Sequence, residues 1–200
     1  MHPNPRFHWR DREAMRAFVR DIAFGALFVP TRDGPGVAHV PVVFESDETL
    51  GLHLARANRI ARHLDGAIAL FVVQGPHAYI SPDWYGLGPD EVPTWNYLAV
   101  ELEGELEALT RDELAAQIDR LAHEHERRLA PKPEWTRAKA DPARIDRMLD
   151  AILGFRLTIA VWRGTIKLGQ NKPEAARDAV AAALGAQGGH EIARLTREAR

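Results

Sequence analysis

The chain contains no cysteine among its 200 residues. That absence excludes disulfide bonds, thiolate metal sites and a cysteine nucleophile. No apolar run approaches the ~20 residues that a membrane-spanning helix needs, and the first residues lack the apolar core of a signal peptide. We therefore expect a cytoplasmic protein with no membrane segment.

Neither sign of charge dominates the sequence. The 26 basic and 28 acidic residues give a formal net charge of −2, which provides no general attraction to nucleic acid. Hydrophobic residues make up 46% of the chain, which is enough to bury a core at this length. One domain over residues 1–200 is the expectation for a chain of this size.

Capping residues and the helical spacing of apolar side chains predict five helices, and Asn58 can cap a sixth, short helix that Gly66 closes. The predicted helices begin after Asp11, Thr110 and Asp141, and the last two cover about 174–184 and 190–198. Thr110 is followed three residues later by glutamate, which is the pattern of a capping box. The last two helices form a predicted helical tail.

Apolar runs between these helices, bounded by turn residues, predict β-strands. The predicted strands are about 23–29, 36–44, 50–55, 67–73, 94–107 and 155–168, and the first two form a hairpin. Pro41 predicts an edge position or a bulge in the second strand. Gly154 is expected to end the helix after Asp141, and the last strand can also be read as a tight pair around Gly164.

This alternation of elements predicts a small β-barrel with α additions, which is an α+β fold. Within the single domain we expect a barrel core at about 22–109 and 155–169, a helical insertion at 110–153 and a helical tail at 173–199.

Residues 75–97 concentrate aromatic rings and prolines in one segment, GPHAYISPDWYGLGPDEVPTWNY. Prolines fix φ and remove backbone donors, so we expect an ordered connection with extended ends and no helix. Flat side chains on a stiff backbone suit the binding of a planar ligand. The alternative is a hairpin whose aromatic rings fill the core.

The same segment resembles a known family. GPHAYISP-x-WY followed by VPTWNY is similar to the signature of the PaiB family, described as FMN-binding negative transcriptional regulators. Four further segments agree in order: MHPNPRF at the start, AHVPVVF at 38–44, LHLARAN at 52–58 and KLGQNKP at 167–173. The resemblance covers residue 1 to about 175. It implies an FMN-binding split barrel that forms a homodimer, with the flavin at the subunit interface.

An FMN site needs cations or amide donors for the phosphate, donors for the polar edge of the ring, and aromatic cover. Arg56 and Asn58 stand at a predicted strand-to-helix junction, where free N–H groups favour an anion. A solvated arginine and a simple helix cap are the alternatives. Lys167, Gln170 and Asn171 close the last predicted strand and can serve the phosphate or the flavin carbonyls.

The other candidates also lie in the resembling segments: His39 and His53, and the consecutive residues Thr94, Trp95 and Asn96. The last three can form the wall and polar rim of a flavin pocket, although Trp95 can equally pack at a dimer interface. A single histidine on a strand is more often structural than an acid or base. No catalytic residue follows from the sequence.

The sequence departs from the family motif at Gly169, where the family has serine. Glycine removes a hydroxyl donor for a phosphate while it allows a closer approach of the backbone.

Two further patterns are rejected as sites. HEHE at 123–126 lacks the second histidine of a zinc motif, because Arg127 stands in that position, so we expect no metal. Residues 177–200 are similar to a helix-turn-helix, but the turn is long, so Ile192 and Leu195 are expected to miss the packing positions. Acidic residues also offset the arginines of the second helix. Binding of DNA by this chain alone is therefore improbable.

The function implied by the resemblance is a flavin-dependent redox or regulatory protein. If the protein is an enzyme, the resemblance implies an FMN-dependent oxidoreductase. No nucleophile and base are paired in the sequence, so hydrolytic chemistry has no support. The alternative is a non-catalytic negative transcriptional regulator that acts through protein contacts or weak DNA contacts.

Overall fold

The computed structural model describes residues 2–199, which form seven strands and five α-helices. The strands are β1 (His8–Trp9), β2 (Phe24–Thr31), β3 (Gly34–Ser46), β4 (Thr49–Ala55), β5 (Ile68–Ile80), β6 (Thr94–Ala108) and β7 (Ile152–Lys167). The helices are α1 (Arg12–Ile22), α2 (Arg111–Glu126), α3 (Pro142–Asp150), α4 (Glu174–Ala186) and α5 (His190–Glu198). None of these helices is long and apolar enough to cross a membrane.

The strands form one sheet in the order β1-β7-β4-β3-β2-β5-β6. A second pairing of β6 with β7 closes strands β2 to β7 into a ring. Neighbouring strands with a defined register are antiparallel. The predicted β-barrel with α additions is therefore confirmed.

The chain divides into two compact units, each made of several separate stretches of sequence. The first unit comprises Met1–Met15, Gln74–Val100 and Arg163–Arg200, and the second comprises Arg16–Val73 and Glu101–Trp162. Three long strands, β5, β6 and β7, begin in one unit and end in the other.

Local capping explains where the helices begin. Oδ1 of Asp11 accepts a hydrogen bond of 2.9 Å from the Ala14 N–H, and Asp141 caps α3 in the same way. Thr110 and Glu113 form the complete capping box of α2. The helix starts predicted after Asp11, Thr110 and Asp141 are confirmed, because such a cap depends only on residues within three or four positions.

The predicted β2–β3 hairpin is confirmed, with a tighter turn than expected. Thr31 pairs with Gly34, and Gly34 adopts a φ of 105°, which glycine accepts without strain. The bulge expected in this strand is present, but it falls between Phe44 and Ser46 and not at Pro41, and β3 lies between β2 and β4. Pro41 is instead the last residue of β3 that pairs with β2.

The end of the helical insertion also differs from the prediction. α3 ends at Asp150, and Gly154 lies inside β7, which continues without a break through Gly164. A side chain on Gly154 would come within 2.8 Å of Cδ1 of Leu114. Glycine at this position therefore lets α2 pack closely against the strand.

The core of the second unit follows the alternation of its strands. On β6, Leu102 and Leu106 are fully buried, whereas Glu105 and Glu107 are exposed. The largest fully buried side chains of this unit are Leu27, Leu50, Leu52, Ile60, Leu64, Phe71, Leu102, Leu106 and Leu157. Period-two patterning thus places the apolar set inside, as predicted for this strand.

Candidate functional site

The three candidates at the start of β6 lie on two opposite faces of the strand, because successive side chains alternate. Asn96 is 2% exposed and Thr94 is half-buried, whereas Trp95 is 52% exposed. Thr94 and Asn96 therefore share one face, and Trp95 belongs to the other.

The outward face of β5 and β6 carries three rings side by side. The Trp95 ring centre lies 6.0 Å from His77 and 6.2 Å from Tyr79. Tyr79 is 47% exposed. We call His77, Tyr79 and Trp95 the aromatic surface. Exposed rings of this size suit stacking against a planar molecule or coverage by another protein chain.

Lys167 lies at the end of β7 and is half-buried. Its Nζ donates a hydrogen bond to Oγ1 of Thr94 and lies 5.9 Å from the ring centre of Phe7. Among residues 2–199, no carboxylate lies within ion-pairing distance of this ammonium. Burial lowers the pKa of Lys167, because a desolvated charge lacks compensation. The structure therefore brings Lys167 and Thr94 together in an environment that favours an anion.

His2, from the first segment of the chain, lies close enough to Lys167 for the two charges to interact, and its lowered pKa favours the neutral ring. Burial lowers the pKa of His2, and the charge of Lys167 lowers it further. The His2 backbone N–H donates a hydrogen bond of 3.4 Å to Oγ1 of Thr165, beside Lys167 on β7. His2 of the MHPNPRF segment thus lies next to the start of the KLGQN segment.

The side chain of Gln170 forms hydrogen bonds with the backbone at the end of β7 and in the loop after it. Oε1 of Gln170 accepts from the Leu168 N–H, and its Nε2 donates to the Ile166 carbonyl, both at 2.8 Å. Asn171 is exposed. Gly169 has a φ of 79°, a conformation that disfavours any side chain. Glycine in place of the family's serine therefore matches the backbone of this loop.

Asn96 has a partner that the sequence did not indicate. Its Nδ2 donates a hydrogen bond of 3.1 Å to Oγ1 of Thr196 on α5, and Thr196 is only 1% exposed. Oδ1 of Asn96 is buried and has no hydrogen-bond partner within residues 2–199. No local pattern could reveal this pair, since 100 positions separate the two residues.

Arg56 follows β4 in the second unit, and its guanidinium faces the end of α3. Nε donates to the carbonyl of Asp150 at 2.9 Å, and Nη2 approaches the carbonyl of Ile152 at 3.5 Å. The Arg56 N–H donates to the carbonyl of Ala151 at 2.9 Å. Arg56 thus completes the C-terminus of a helix, where a cation is favourable.

The predicted helix after Asn58 is reduced to three residues of 3-10 helix, Ala61–His63. Oδ1 of Asn58 accepts a hydrogen bond of 3.1 Å from the Ile60 N–H, which forms a local turn. The expected helix after Asn58 was wrong, and one short turn has little dipole to favour an anion. Binding of the phosphate by Arg56 and Asn58 stays a prediction.

The two candidate histidines lie in different environments on neighbouring strands. His39 is exposed on β3, and its ring stacks on Phe24 with a centre distance of 6.4 Å. His53 is half-buried on β4, and its Nδ1 has no hydrogen-bond partner in the described chain. Burial lowers the pKa of His53, which favours the neutral ring. His39, His53, Arg56 and Asn58 belong to the second unit, whereas the candidates on β6 and after β7 belong to the first.

Residues of the two rejected patterns, HEHE and the apparent helix-turn-helix, form contacts with other side chains of the protein. Nδ1 of His123 lies 2.7 Å from Oε2 of Glu134. Across residues 2–199, no group of three or more His, Cys, Asp or Glu side chains is arranged to hold a metal ion. On α5, Arg194 pairs with Glu198 at 2.6 Å and Arg197 approaches Asp178 at 3.7 Å.

The packing argument against a helix-turn-helix was wrong for Ile192. This residue is 4% exposed and packs into the interior. Leu195 is half-buried. The paired arginines on α5, and not the register of the helix, are therefore the observation that opposes DNA binding.

Comparison with known proteins gives consistent results. A family model described as "Putative FMN-binding domain" matches residues 1–161. The Bacillus subtilis protease synthase and sporulation protein PAI 2 is 30% identical over 172 residues, which cover 84% of this chain and 81% of the relative.

Two solved structures share the fold at lower identity. The FAD- and heme-binding protein of Mycobacterium smegmatis has a TM-score of 0.59 at 20% identity, covering 88% of this chain and 79% of its own. The flavocytochrome Anf3 of Azotobacter vinelandii has a TM-score of 0.59 at 16% identity. The match covers 84% of this chain and 72% of the flavocytochrome chain.

Proposed function

The chain belongs to the PaiB family of FMN-binding split-barrel domains, and on this premise we propose that it binds FMN as a homodimer and acts as a flavin-dependent redox or regulatory protein.

The unpaired ammonium of Lys167 is the observation that carries the flavin proposal. It is half-buried, it contacts only a hydroxyl and a ring, and its pKa is lowered by burial. A bound anion would compensate this charge and form a charge-assisted hydrogen bond. FMN offers two anionic positions, the phosphate and the pyrimidine edge of the reduced ring. The environment of Lys167 therefore fits a bound FMN.

The aromatic surface supports both ring stacking and dimerisation. Trp95 and Tyr79 expose about half of their area, which is unfavourable for a side chain left in water. In a split-barrel dimer this surface would meet the partner subunit, with the flavin at the contact. We propose Trp95 as the wall of that site, and Lys167 with Thr94 as its polar component.

Bound FMN would supply the electron and hydride transfer. The contribution of the chain is then to hold and orient the group: Lys167 provides positive charge, and the aromatic surface excludes water from one face. We assign no side chain as a nucleophile or general base. His39, His53, Asn58, Gln170 and Asn171 remain candidates for flavin contacts across the dimer.

A non-catalytic regulator is the second candidate function. The Bacillus relative is named for protease synthesis and sporulation, which concerns control of cell state. Because the arginines of α5 are paired with carboxylates, protein contacts are favoured over DNA contacts for such a role.

Absorption spectroscopy and light scattering on the purified protein test the proposal. We expect saturable binding of added FMN, with a change in its visible spectrum, and a mass of twice one chain. Trp95→Ala should weaken the dimer, whereas Trp135→Ala, at an exposed site in the second unit, should not. Absence of FMN binding would overturn the flavin proposal, and a stable monomer would overturn the dimer. Salt-dependent DNA binding without flavin would favour the second candidate.

A further inference from the structure

A cavity of about 250 Å³ in the second unit lies among α1, β3 and the end of α2. It contains none of the residues considered for flavin. Its floor is formed by Val19, Ala23, Val42 and Val43, none of which is more than 6% exposed. The floor is therefore apolar and suits an aliphatic group.

Ala23 in this floor has an unusual backbone. Its φ is 51°, and it is the one residue other than glycine with a positive φ between residues 2 and 199. Its N–H donates to the Val19 carbonyl at 2.8 Å, and its carbonyl accepts from the Val42 N–H at 2.9 Å. A left-handed conformation at a residue with a side chain stores strain, and such strain concentrates at binding sites.

Arg20 provides a positive charge at the cavity. Its guanidinium lies 5.5 Å from the ring centre of Phe44, and Phe44 stacks on Trp162 with an angle of 3° between the rings. In the described chain no carboxylate pairs with Arg20. An arginine held on a ring without an ion partner is available to a carboxylate ligand.

Glu124 provides the opposite charge. Its Oε2 is buried and accepts no hydrogen bond from any described residue. Nη2 of Arg127, which also lines the cavity, forms an ion pair with this oxygen at 3.6 Å, but this distance is too long for a hydrogen bond. A buried carboxylate oxygen without a donor is unfavourable, and an ammonium group in the cavity would satisfy it.

Arg128 holds the two helices that frame the cavity. Its Nη1 donates to the carbonyl of Asp21 and its Nη2 to the carbonyl of Arg20, each at 2.9 Å. These bonds fix the end of α1 against the segment after α2. The backbone that carries Arg20 is thus fixed before a ligand arrives, which lowers the entropy lost on binding.

We propose that this cavity binds a small zwitterion with an aliphatic side chain, which is the chemistry of an apolar amino acid. Its carboxylate meets Arg20, its ammonium meets Oε2 of Glu124, and its side chain lies on the apolar part of the lining. The volume of 250 Å³ equals the share of about eight water molecules in the liquid, which suits a ligand the size of leucine.

Isothermal titration calorimetry with three matched probes tests this proposal. L-Leucine carries both charges, 4-methylpentanoate lacks the ammonium, and 3-methylbutylamine lacks the carboxylate. We expect leucine to bind with a Kd below about 1 mM and each truncated probe to bind at least about tenfold more weakly. Equal binding of leucine and one truncated probe, or no binding of leucine, would overturn the proposal.

Two variants test which residues bind the carboxylate and the ammonium of leucine, and a third variant serves as the control. Arg20→Met and Glu124→Gln should each weaken leucine binding by about ten- to a hundred-fold, the effect of removing one charge-assisted bond. Arg32→Met removes the same charge from the exposed β2–β3 turn and should leave leucine binding unchanged. Circular dichroism checks that each variant is folded. If Arg20→Met is unfolded, Arg20→Lys, which keeps the charge but loses the planar fork, should still weaken leucine binding. Equal losses in Arg32→Met and Arg20→Met would contradict the assignment.

Discussion

The side chains of Asn96 and Thr196 are joined by a buried hydrogen bond of 3.1 Å. The bond ties β6 to α5, a helix that lies beyond the residues 1–161 matched by the family model. Asn96 is flanked by Trp95, in the aromatic surface, and lies on the same face as Thr94, the partner of Lys167. The C-terminal helix therefore supports the strand on which the candidate flavin residues lie.

Thr196→Val should destabilise the protein by about 1–3 kcal/mol, because the methyl that replaces the hydroxyl leaves the buried amide of Asn96 without a partner. Thr196→Ser keeps the hydroxyl and should lose clearly less stability than Thr196→Val. The midpoint of urea unfolding measures both variants. Equal stability of Thr196→Val and the wild type would show that the bond contributes nothing.

Lys167→Met should weaken FMN binding by about ten- to a hundred-fold, corresponding to the ~1.5–3 kcal/mol of a hydrogen bond to a charged group. The same titration with riboflavin, which lacks the phosphate, identifies the part of the flavin that the ammonium contacts. A loss for FMN alone indicates the phosphate, and equal losses indicate the ring.

Lys172→Met is the matched control for this measurement, because Nζ of Lys172 is already paired with Glu91. It should change FMN affinity much less than Lys167→Met does. If neither substitution alters the affinity for FMN, Lys167 is not part of the site.

Arg56→Ala should reduce stability and leave the preference for FMN over riboflavin unchanged. The reason is that the guanidinium binds carbonyl groups at the end of α3, an interaction of about 0.3–1 kcal/mol for a cation at a helix C-terminus. Arg59→Ala, at an exposed neighbour, should leave stability unchanged. A selective loss of FMN affinity in Arg56→Ala would instead restore the phosphate role predicted from the sequence.

Acidification should destabilise the protein through His53. Because burial lowers the folded-state pKa of His53 below its ordinary 6.5, the unfolded chain binds the proton more readily. The free energy of unfolding should therefore fall as the pH drops through 6.5, and this loss should level off below the folded-state pKa.

Thermal unfolding between pH 7.5 and about pH 5 measures this effect, and His53→Gln should flatten the dependence. A residual slope is expected from His2, whose pKa is lowered in the same direction. The pKa values of Glu113 and Glu126 are lowered from their ordinary 4.5. These two groups therefore change the stability at a pH below the range of this measurement. An unchanged slope in His53→Gln would contradict the assignment.

The sequence alone determined the elements whose causes are local. Helix starts at Asp11, Thr110 and Asp141 were predicted correctly because the cap and its N–H partner are at most three residues apart. The alternation of leucine and glutamate on β6 fixed which face is buried, because side chains of a strand alternate. The ordered family motifs predicted the barrel itself.

Tertiary structure decided what each candidate side chain contacts. Arg56 is bound by a helix end 94 residues away, Lys167 by a threonine 73 residues away, and Asn96 by a threonine 100 residues away. The cavity at Arg20 likewise depends on α1, β3 and α2 meeting in one unit. Such contacts follow from the pairing of distant strands and the packing of helices on them, so no spacing within a motif encodes them.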